Sequence, residues 1–169
     1  MIAALSTQAQ KMFTGMTCQN LSGKEVKLPQ SVKGKHTLLC LAYSKKAEAD
    51  LNTWYEPVYL QFIHEPKNPG MFYESFDINT YFIPMFSGVN KAAIGQFKKQ
   101  VETKVDSKLH EHLLYFKGNA NDIKKNLDMT QKDEPYLFLL DENGKIVYET
   151  SGAYSEKKMI EIEELIEGE

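Results

Sequence analysis

The chain contains no arginine: all 20 basic residues among its 169 are lysine. A lysine ammonium is a single point charge, whereas the planar guanidinium group binds phosphate, carboxylate or guanine with two parallel hydrogen bonds. The formal net charge is only −3, so no strong positive field gathers a polyanion. The sequence therefore predicts that the protein does not bind nucleic acid.

Cysteine is scarce as well, with Cys18 and Cys40 alone in the chain. Two cysteines are too few for a disulfide scaffold or for a structural zinc site. His110 and His112 would share one face of a strand, but two ligands do not complete a metal site. The pattern therefore predicts no metal and no other cofactor, and it leaves open whether the two cysteines pair.

Long apolar runs are absent, since no stretch approaches the roughly 20 apolar residues that cross a bilayer. We therefore expect no integral membrane span. Met1–Gln10 lacks the charged start of a signal peptide but is similar to the end of one. Two compartments stay open: the cell envelope or periplasm if this segment is such a remnant, and the cytoplasm otherwise.

A 42% hydrophobic content is enough for one core, which indicates a single domain. Residues 1–23 are predicted to be an extended lead-in or the remnant of a signal segment. Residues 24–169 form the domain, in which the segment 64–108 is long enough to be an insertion. Composition does not indicate the oligomeric state.

Apolar periodicity predicts alternating strands and helices. His36–Ala42 includes five consecutive apolar residues, which is typical of a strand covered on both faces. Ser44 can cap the helix that follows, and Pro57 is expected to kink that helix or end its first part. Asn143–Gly144 indicates a hairpin with a two-residue turn between two late strands. The remaining predicted elements are a strand at 25–28, a strand at 76–86, a helix at 89–105, a strand at 112–116, a short helix to 127 and a last helix from 155.

This order predicts an α/β protein, a three-layer sandwich with a mixed central sheet flanked by helices. It resembles the thioredoxin-like fold. EPYLFLLDENGKIVYETSG, residues 134–152, is similar to the second half of bacterial TlpA-type and ResA-type proteins. There a cis-proline precedes the strand, so the resemblance implies a cis bond before Pro135.

A second resemblance covers roughly residues 24–166. The mitochondrial ATP synthase assembly factor family has a thioredoxin-like core without the cysteine pair, and YSKKAEADLNTW, YLFLLDENG and SGAYSEKK are similar to its motifs. It implies a role in assembly rather than catalysis.

Thiol chemistry of the thioredoxin type is excluded by the strand–helix break. Lys46–Ala49 occupies roughly the position of the Cys-x-x-Cys pair, and no cysteine is present there to attack a disulfide. Thr37 and Cys40 do form the Thr-x-x-Cys pattern of peroxiredoxins. A thiol-dependent oxidoreductase or peroxidase that uses Cys40 is therefore the alternative, although an apolar run does not favour a thiolate.

The main interpretation is a non-catalytic module that binds a protein or an extended peptide, or an assembly chaperone. The resemblance implies that the loop before Pro135 exposes backbone that can pair with a peptide strand; the alternative is a turn that serves folding alone. The predicted binding residues are Tyr43, Ser44, Lys46, Glu134 and Pro135, with no catalytic residue assigned. A third hypothesis is a domain that acts only as a subunit of a larger assembly.

Overall fold

The computed structural model describes residues 11–168 apart from 72, 74 and 87–90, so Met1–Gln10 lies outside the described residues. The strands are β1 Met16–Asn20, β2 Glu25–Leu28, β3 His36–Ala42, β4 Ile78–Pro84, β5 Leu114–Tyr115, β6 Tyr136–Leu140 and β7 Ile146–Ser151. The α-helices are α1 Lys45–Asn52, α2 Tyr55–Val58, α3 Lys91–Lys104, α4 Ala120–Asn126 and α5 Glu156–Glu167. A π-helical turn, Tyr59–Ile63, continues α2, and 3₁₀ turns span Gln30–Val32 and Ser107–His112.

The central sheet has the strand order β4-β3-β6-β7. Its first pair is parallel, as expected for strands joined by helices, and the other two pairs are antiparallel. Every residue of β3 is buried, because this strand lies in the middle of the sheet and both of its faces are covered. The mixed sheet confirms the predicted α/β class.

The two faces of the central sheet bury separate cores. Helices α1, α2, α3 and α5 cover the face of Leu38, Cys40 and Ala42. The opposite face, that of Leu39 and Leu41, packs against α4 and against the small sheet β2-β1-β5. Side chains alternate between these cores along β3 because successive residues of a strand point to opposite faces.

Residues 1–23 were predicted as a lead-in, and part of that stretch is a strand. β1 pairs antiparallel with β2 and with the short β5, and its Cys18 is fully buried. The signal for this strand is weak because it contains three polar residues among five. The division of the chain at residue 24 stays a prediction.

The first long helix is divided before Pro57 rather than at it. Thr53 ends α1, and its hydroxyl donates to the Asp50 carbonyl at 2.6 Å while accepting from the Tyr154 amide at 2.9 Å. Pro57 then lies in the first turn of α2. A backbone N–H has no acceptor within the helix at this position, so the proline removes no helical hydrogen bond.

The prediction of a strand over 112–116 is correct only for Leu114–Tyr115. His110 and His112 belong instead to the 3₁₀ turn, which begins where the Asp106 side chain accepts from the Lys108 amide at 3.1 Å. Such a local cap competes with an extended backbone, and apolar periodicity alone does not detect it.

The hairpin between β6 and β7 is present, but its turn differs from the two-residue type. The Asp141 carboxylate accepts from the amides of Asn143 and Lys145, each at 2.9 Å. Gly144 has a φ of +86°, a left-handed conformation that glycine adopts without steric cost. A β-carbon there would also lie 2.9 Å from Pro29, so glycine is required for two reasons.

The predicted cis bond before Pro135 is wrong. Among the described residues, the one cis peptide bond is Leu28–Pro29. The cis and trans forms of a bond before proline differ by only about 0.5–1 kcal/mol, so a resemblance in sequence does not fix the isomer.

Candidate functional site

The strand–helix break after β3 and the loop before β6 lie side by side. β3 and β6 are antiparallel neighbours in which Leu41 is opposite Tyr136, so the residues that follow β3 meet those that precede β6. The Ser44 hydroxyl donates to the Asp133 carboxylate at 3.1 Å across this junction. We call the surface formed by Tyr43, Ser44, Lys46, Glu134 and Pro135 the Pro135 site.

Ser44 is the N-cap of α1, as predicted. Its backbone is extended, with φ −141° and ψ 161°, and its side chain accepts from the Ala47 amide at 3.1 Å. This contact satisfies one of the amides that the first turn of a helix leaves unpaired. The same hydroxyl donates to Asp133, so both a lone pair and its hydrogen are engaged within the fold, as expected for a structural cap.

Tyr43 is half-buried beside this junction. Its hydroxyl donates to the Met129 carbonyl at 3.3 Å, and the Lys124 ammonium lies 4.4 Å from its ring centroid. Burial raises the pKa of the Tyr43 hydroxyl, and the nearby Tyr136 and Asp133 add to the effect. Tyr43 is therefore a neutral hydrogen-bond donor with a cation held over its ring.

Glu134 and Pro135 face the turn that follows β7. The Ser151 hydroxyl donates to the Glu134 carboxylate at 2.7 Å, and the Gly152 amide donates to the Pro135 carbonyl at 2.9 Å. Pro135 is buried. By contrast, the backbone amide and carbonyl of Glu134 make no hydrogen bond within the part of the chain that the structure describes.

Lys46 is exposed in the first turn of α1. Within the described ranges its ammonium forms no ion pair and no hydrogen bond, whereas the preceding Lys45 lies 3.3 Å from Glu48. The structure thus brings Tyr43, Ser44, Glu134 and Pro135 together and leaves Lys46 as an unpaired cation beside them.

Asp133, which joins the two loops, was not predicted; an acid directly before Glu134–Pro135 was the available signal. Trp54 is at the helical spacing of the first long helix and within the family motif YSKKAEADLNTW, but its contacts at this surface were not predicted. Its indole donates to the Gly152 carbonyl at 3.0 Å and its ring meets Tyr154 edge to face, with centroids 5.3 Å apart.

Both thiols are free and buried within the cores. Cys40 packs on the helix-covered face of the central sheet, whereas Cys18 packs on the opposite face. The sheet therefore separates them, which argues against the pairing that the sequence left open. Burial raises the pKa of Cys18 to about 12 and raises that of Cys40 well above its ordinary range, which disfavours the thiolate that nucleophilic chemistry requires.

His110 and His112 each lie within hydrogen-bonding distance of a backbone carbonyl of the fold. His110 Nε2 lies 3.1 Å from the Val105 carbonyl, and His112 Nδ1 lies 2.9 Å from the Thr80 carbonyl. Across the described ranges, no three histidine, cysteine or acidic side chains are grouped as metal ligands, and no helix is both long and apolar enough to cross a bilayer.

Comparison with solved structures shows the fold. The chain is similar to BsSco, a member of the Sco family of cytochrome c oxidase assembly proteins, with a TM-score of 0.60, 13% identity and coverage of 94% of this chain and 95% of the other. It is also similar to the exposed lipoprotein thioredoxin Etrx1 of Streptococcus pneumoniae, with a TM-score of 0.57, 15% identity and coverage of 92% and 100%. A third similar structure is yeast Sco1 with copper bound, with a TM-score of 0.53, 13% identity and coverage of 94% of this chain and 92% of the other. The fold is thioredoxin-like, as predicted.

The family follows from the sequence itself. The model of the ATP10 protein family matches residues 4–168, and the chain belongs to that family, which confirms the resemblance to mitochondrial ATP synthase assembly factors. No curated protein sequence matches the chain. Family and fold together make this an assembly-related thioredoxin-like module without a Cys-x-x-Cys pair.

Proposed function

We propose that this protein is a non-catalytic assembly module that binds an extended or partly folded segment of a protein partner at the Pro135 site. Membership of the ATP10 family supports a protein partner, and the partner that we propose is an ATP synthase subunit before it is incorporated. The proposal has two parts, the absence of thiol chemistry and the location of binding, and they rest on different observations.

The buried thiols support the first part. Cys18 and Cys40 have no exposed surface, and the position of the attacking cysteine in a thioredoxin is occupied by the first turn of α1. A thiol that reacts needs solvent access and a neighbouring cation or helix N-terminus. Cys40 instead lies between Phe82 and Leu137 in the middle of the sheet.

The unpaired backbone of Glu134 is the observation that carries the second part. An extended segment can pair with a free amide and carbonyl, because strand addition depends on main-chain hydrogen bonds. Pro135 has no N–H, and its carbonyl is already paired with Gly152, so such pairing would begin at Glu134. The Lys46 ammonium adds a cation that suits an acidic side chain of the partner.

Site-specific photocrosslinking tests the location. A photoreactive amino acid at Lys46 in the full chain is expected to crosslink to an ATP synthase subunit in cells that assemble the enzyme. The matched control places the same group at Lys33, which is exposed and precedes β3, at the opposite end of that strand from Ser44, and should not capture that subunit. Equal capture from both positions would show that the Pro135 site is not the contact surface.

Thiol reactivity tests the absence of chemistry independently. Cys40 is expected to react with a small alkylating reagent far more slowly in the native protein than in denaturant, because the folded core excludes the reagent and suppresses the thiolate. If native Cys40 reacted as fast as the denatured thiol, the non-catalytic assignment would fail whatever the crosslinking result.

A further inference from the structure

A second surface feature lies on the helical side of the molecule. A cavity of about 300 Å³ opens between α5 and the segment formed by α2 and the π-helical turn. We call it the Leu60 groove; its walls include Pro57, Leu60, Gln61, Tyr154, Ile160 and Glu163. None of these residues belongs to the Pro135 site.

The walls of the Leu60 groove carry exposed apolar side chains. Leu60 is 56% exposed and Ile160 is 45% exposed, and they come from the two opposite walls. Single exposed apolar residues are ordinary on a protein surface, but apolar residues grouped in a cavity indicate a contact surface. Leu60 also borders a second cavity, of about 290 Å³, whose lining includes Tyr55, Tyr59 and Leu109.

The rim of the Leu60 groove is acidic. Glu156 and Glu163 both line it, and neither forms an ion pair with any residue that the structure describes. The lysines of α5 are used elsewhere: Lys157 lies 3.8 Å from Glu161, and Lys158 donates to the carbonyls of Ser151 and Ala153.

The two rim carboxylates thus remain uncompensated within the part of the chain that the structure describes. Burial and the nearby Glu167 carboxylate raise the pKa of Glu163, which is the direction expected for an acid that lacks a cationic partner.

We propose that the Leu60 groove binds an amphipathic helix of a protein partner whose apolar residues are flanked by lysine or arginine. The apolar walls would contact the apolar side chains of the partner helix, as in other complexes where a helix lies in a groove. The unpaired Glu156 and Glu163 provide the complementary charge at the rim. An acidic segment or an anionic lipid surface would be repelled by the same carboxylates.

A pair of synthetic peptides tests this proposal on the full chain. The first combines leucine and lysine in an amphipathic pattern over about 15 residues, the length at which isolated helices become marginally stable; the second replaces each lysine with glutamate. Fluorescence anisotropy is expected to show saturable binding of the lysine peptide, weakening with added salt, and no binding of the glutamate peptide.

Substitutions in the chain locate the binding. Leu60→Asp and Ile160→Asp are each expected to weaken binding of the lysine peptide by about tenfold or more, the loss typical of a central apolar anchor. Glu156→Gln together with Glu163→Gln should reduce the salt dependence. Met71→Asp is the matched control, because Met71 is 94% exposed and lies in none of the cavities described.

Three outcomes would overturn the proposal. They are equal binding of both peptides, binding that Leu60→Asp leaves unchanged while circular dichroism shows a native fold, and a dimer in sedimentation that Leu60→Asp abolishes. The last result would assign the groove to a second copy of the chain. Crosslinking from Lys46 does not involve this groove, so failure of either proposal can be recognised separately.

Discussion

The Pro135 site and the Leu60 groove differ in how their polar groups are satisfied. At the Pro135 site the side chains of Tyr43, Ser44 and Glu134 each form a hydrogen bond within the chain. In the Leu60 groove the rim residues Glu156 and Glu163 are uncompensated within the described chain, and large apolar side chains face solvent.

This difference indicates what each surface contributes. Residues whose polar atoms are paired within the fold contribute to stability, so their substitution should destabilise the native state. Residues that are exposed and unpaired contribute little to stability, so their substitution should affect recognition instead. The strand–helix break after β3 is thus partly a structural junction.

Gly152 and Trp54 connect the two surfaces. The Gly152 amide pairs with Pro135, its carbonyl accepts from the Trp54 indole, and the following turn leads to Tyr154, which lines the Leu60 groove. Gly152 has a φ of +87°, a conformation that other residues rarely adopt.

The largest expected effect follows from removal of this connection. Trp54 is fully buried, so Trp54→Ala leaves a large cavity and is expected to lower the free energy of unfolding by about 3–5 kcal/mol. This loss is measured by urea denaturation monitored by circular dichroism. Tryptophan fluorescence cannot be used, because the chain has a single tryptophan and the variant lacks it.

Trp54→Phe is the control for this prediction. It keeps most of the apolar volume and loses the hydrogen bond to Gly152, so a smaller loss of about 1–3 kcal/mol is expected. If Trp54→Ala lowered the free energy of unfolding by less than Trp54→Phe does, the packing of Trp54 would not be what joins the two surfaces.

A smaller effect is expected at the junction of the two loops. Ser44→Ala removes the cap of α1 and should lower the free energy of unfolding by about 1 kcal/mol. Because Ser44 also donates to Asp133, a double-mutant cycle with Asp133→Ala should give a coupling energy of roughly 0.5 kcal/mol or more.

Ser155 offers a matched cap for comparison. It caps α5 by accepting from the Lys158 amide at a longer distance, 3.4 Å, so Ser155→Ala is expected to cost less than Ser44→Ala. A coupling energy near zero between Ser44 and Asp133 would mean that the Pro135 site is not held together by this bond, and the contrast with the Leu60 groove would weaken.

Local chemistry explains which parts of the fold the sequence predicts. β3, the Ser44 cap, the hairpin and the helix after Ser155 are correct because each depends on neighbouring residues: an apolar run, a hydroxyl before a helix, or a glycine in a turn. The order of the predicted elements supplied the α/β class, and the motifs at 43–54 and 134–158 supplied the resemblance to the thioredoxin-like fold.

Contacts between distant segments explain the rest. The bond from Ser44 to Asp133 joins residues 89 positions apart, and the bond from Trp54 to Gly152 spans 98 positions. Neither has a periodic signal. β1 was missed because its pairing with β2 and β5, rather than its own composition, makes it a strand. The Leu60 groove requires knowledge of which helices are neighbours.

The smallest expected effect concerns stability at the Leu60 groove. Leu60 is 56% exposed, whereas Leu51 on α1 is 1% exposed. Leu60→Ala should therefore change the free energy of unfolding by no more than about 0.5 kcal/mol, and Leu51→Ala should lower it by about 2–5 kcal/mol. Urea denaturation of both variants provides the measurement. A loss above about 1 kcal/mol for Leu60→Ala would show that this side chain supports the π-helical turn, so that weaker peptide binding in Leu60 variants would reflect a disturbed groove rather than a lost contact.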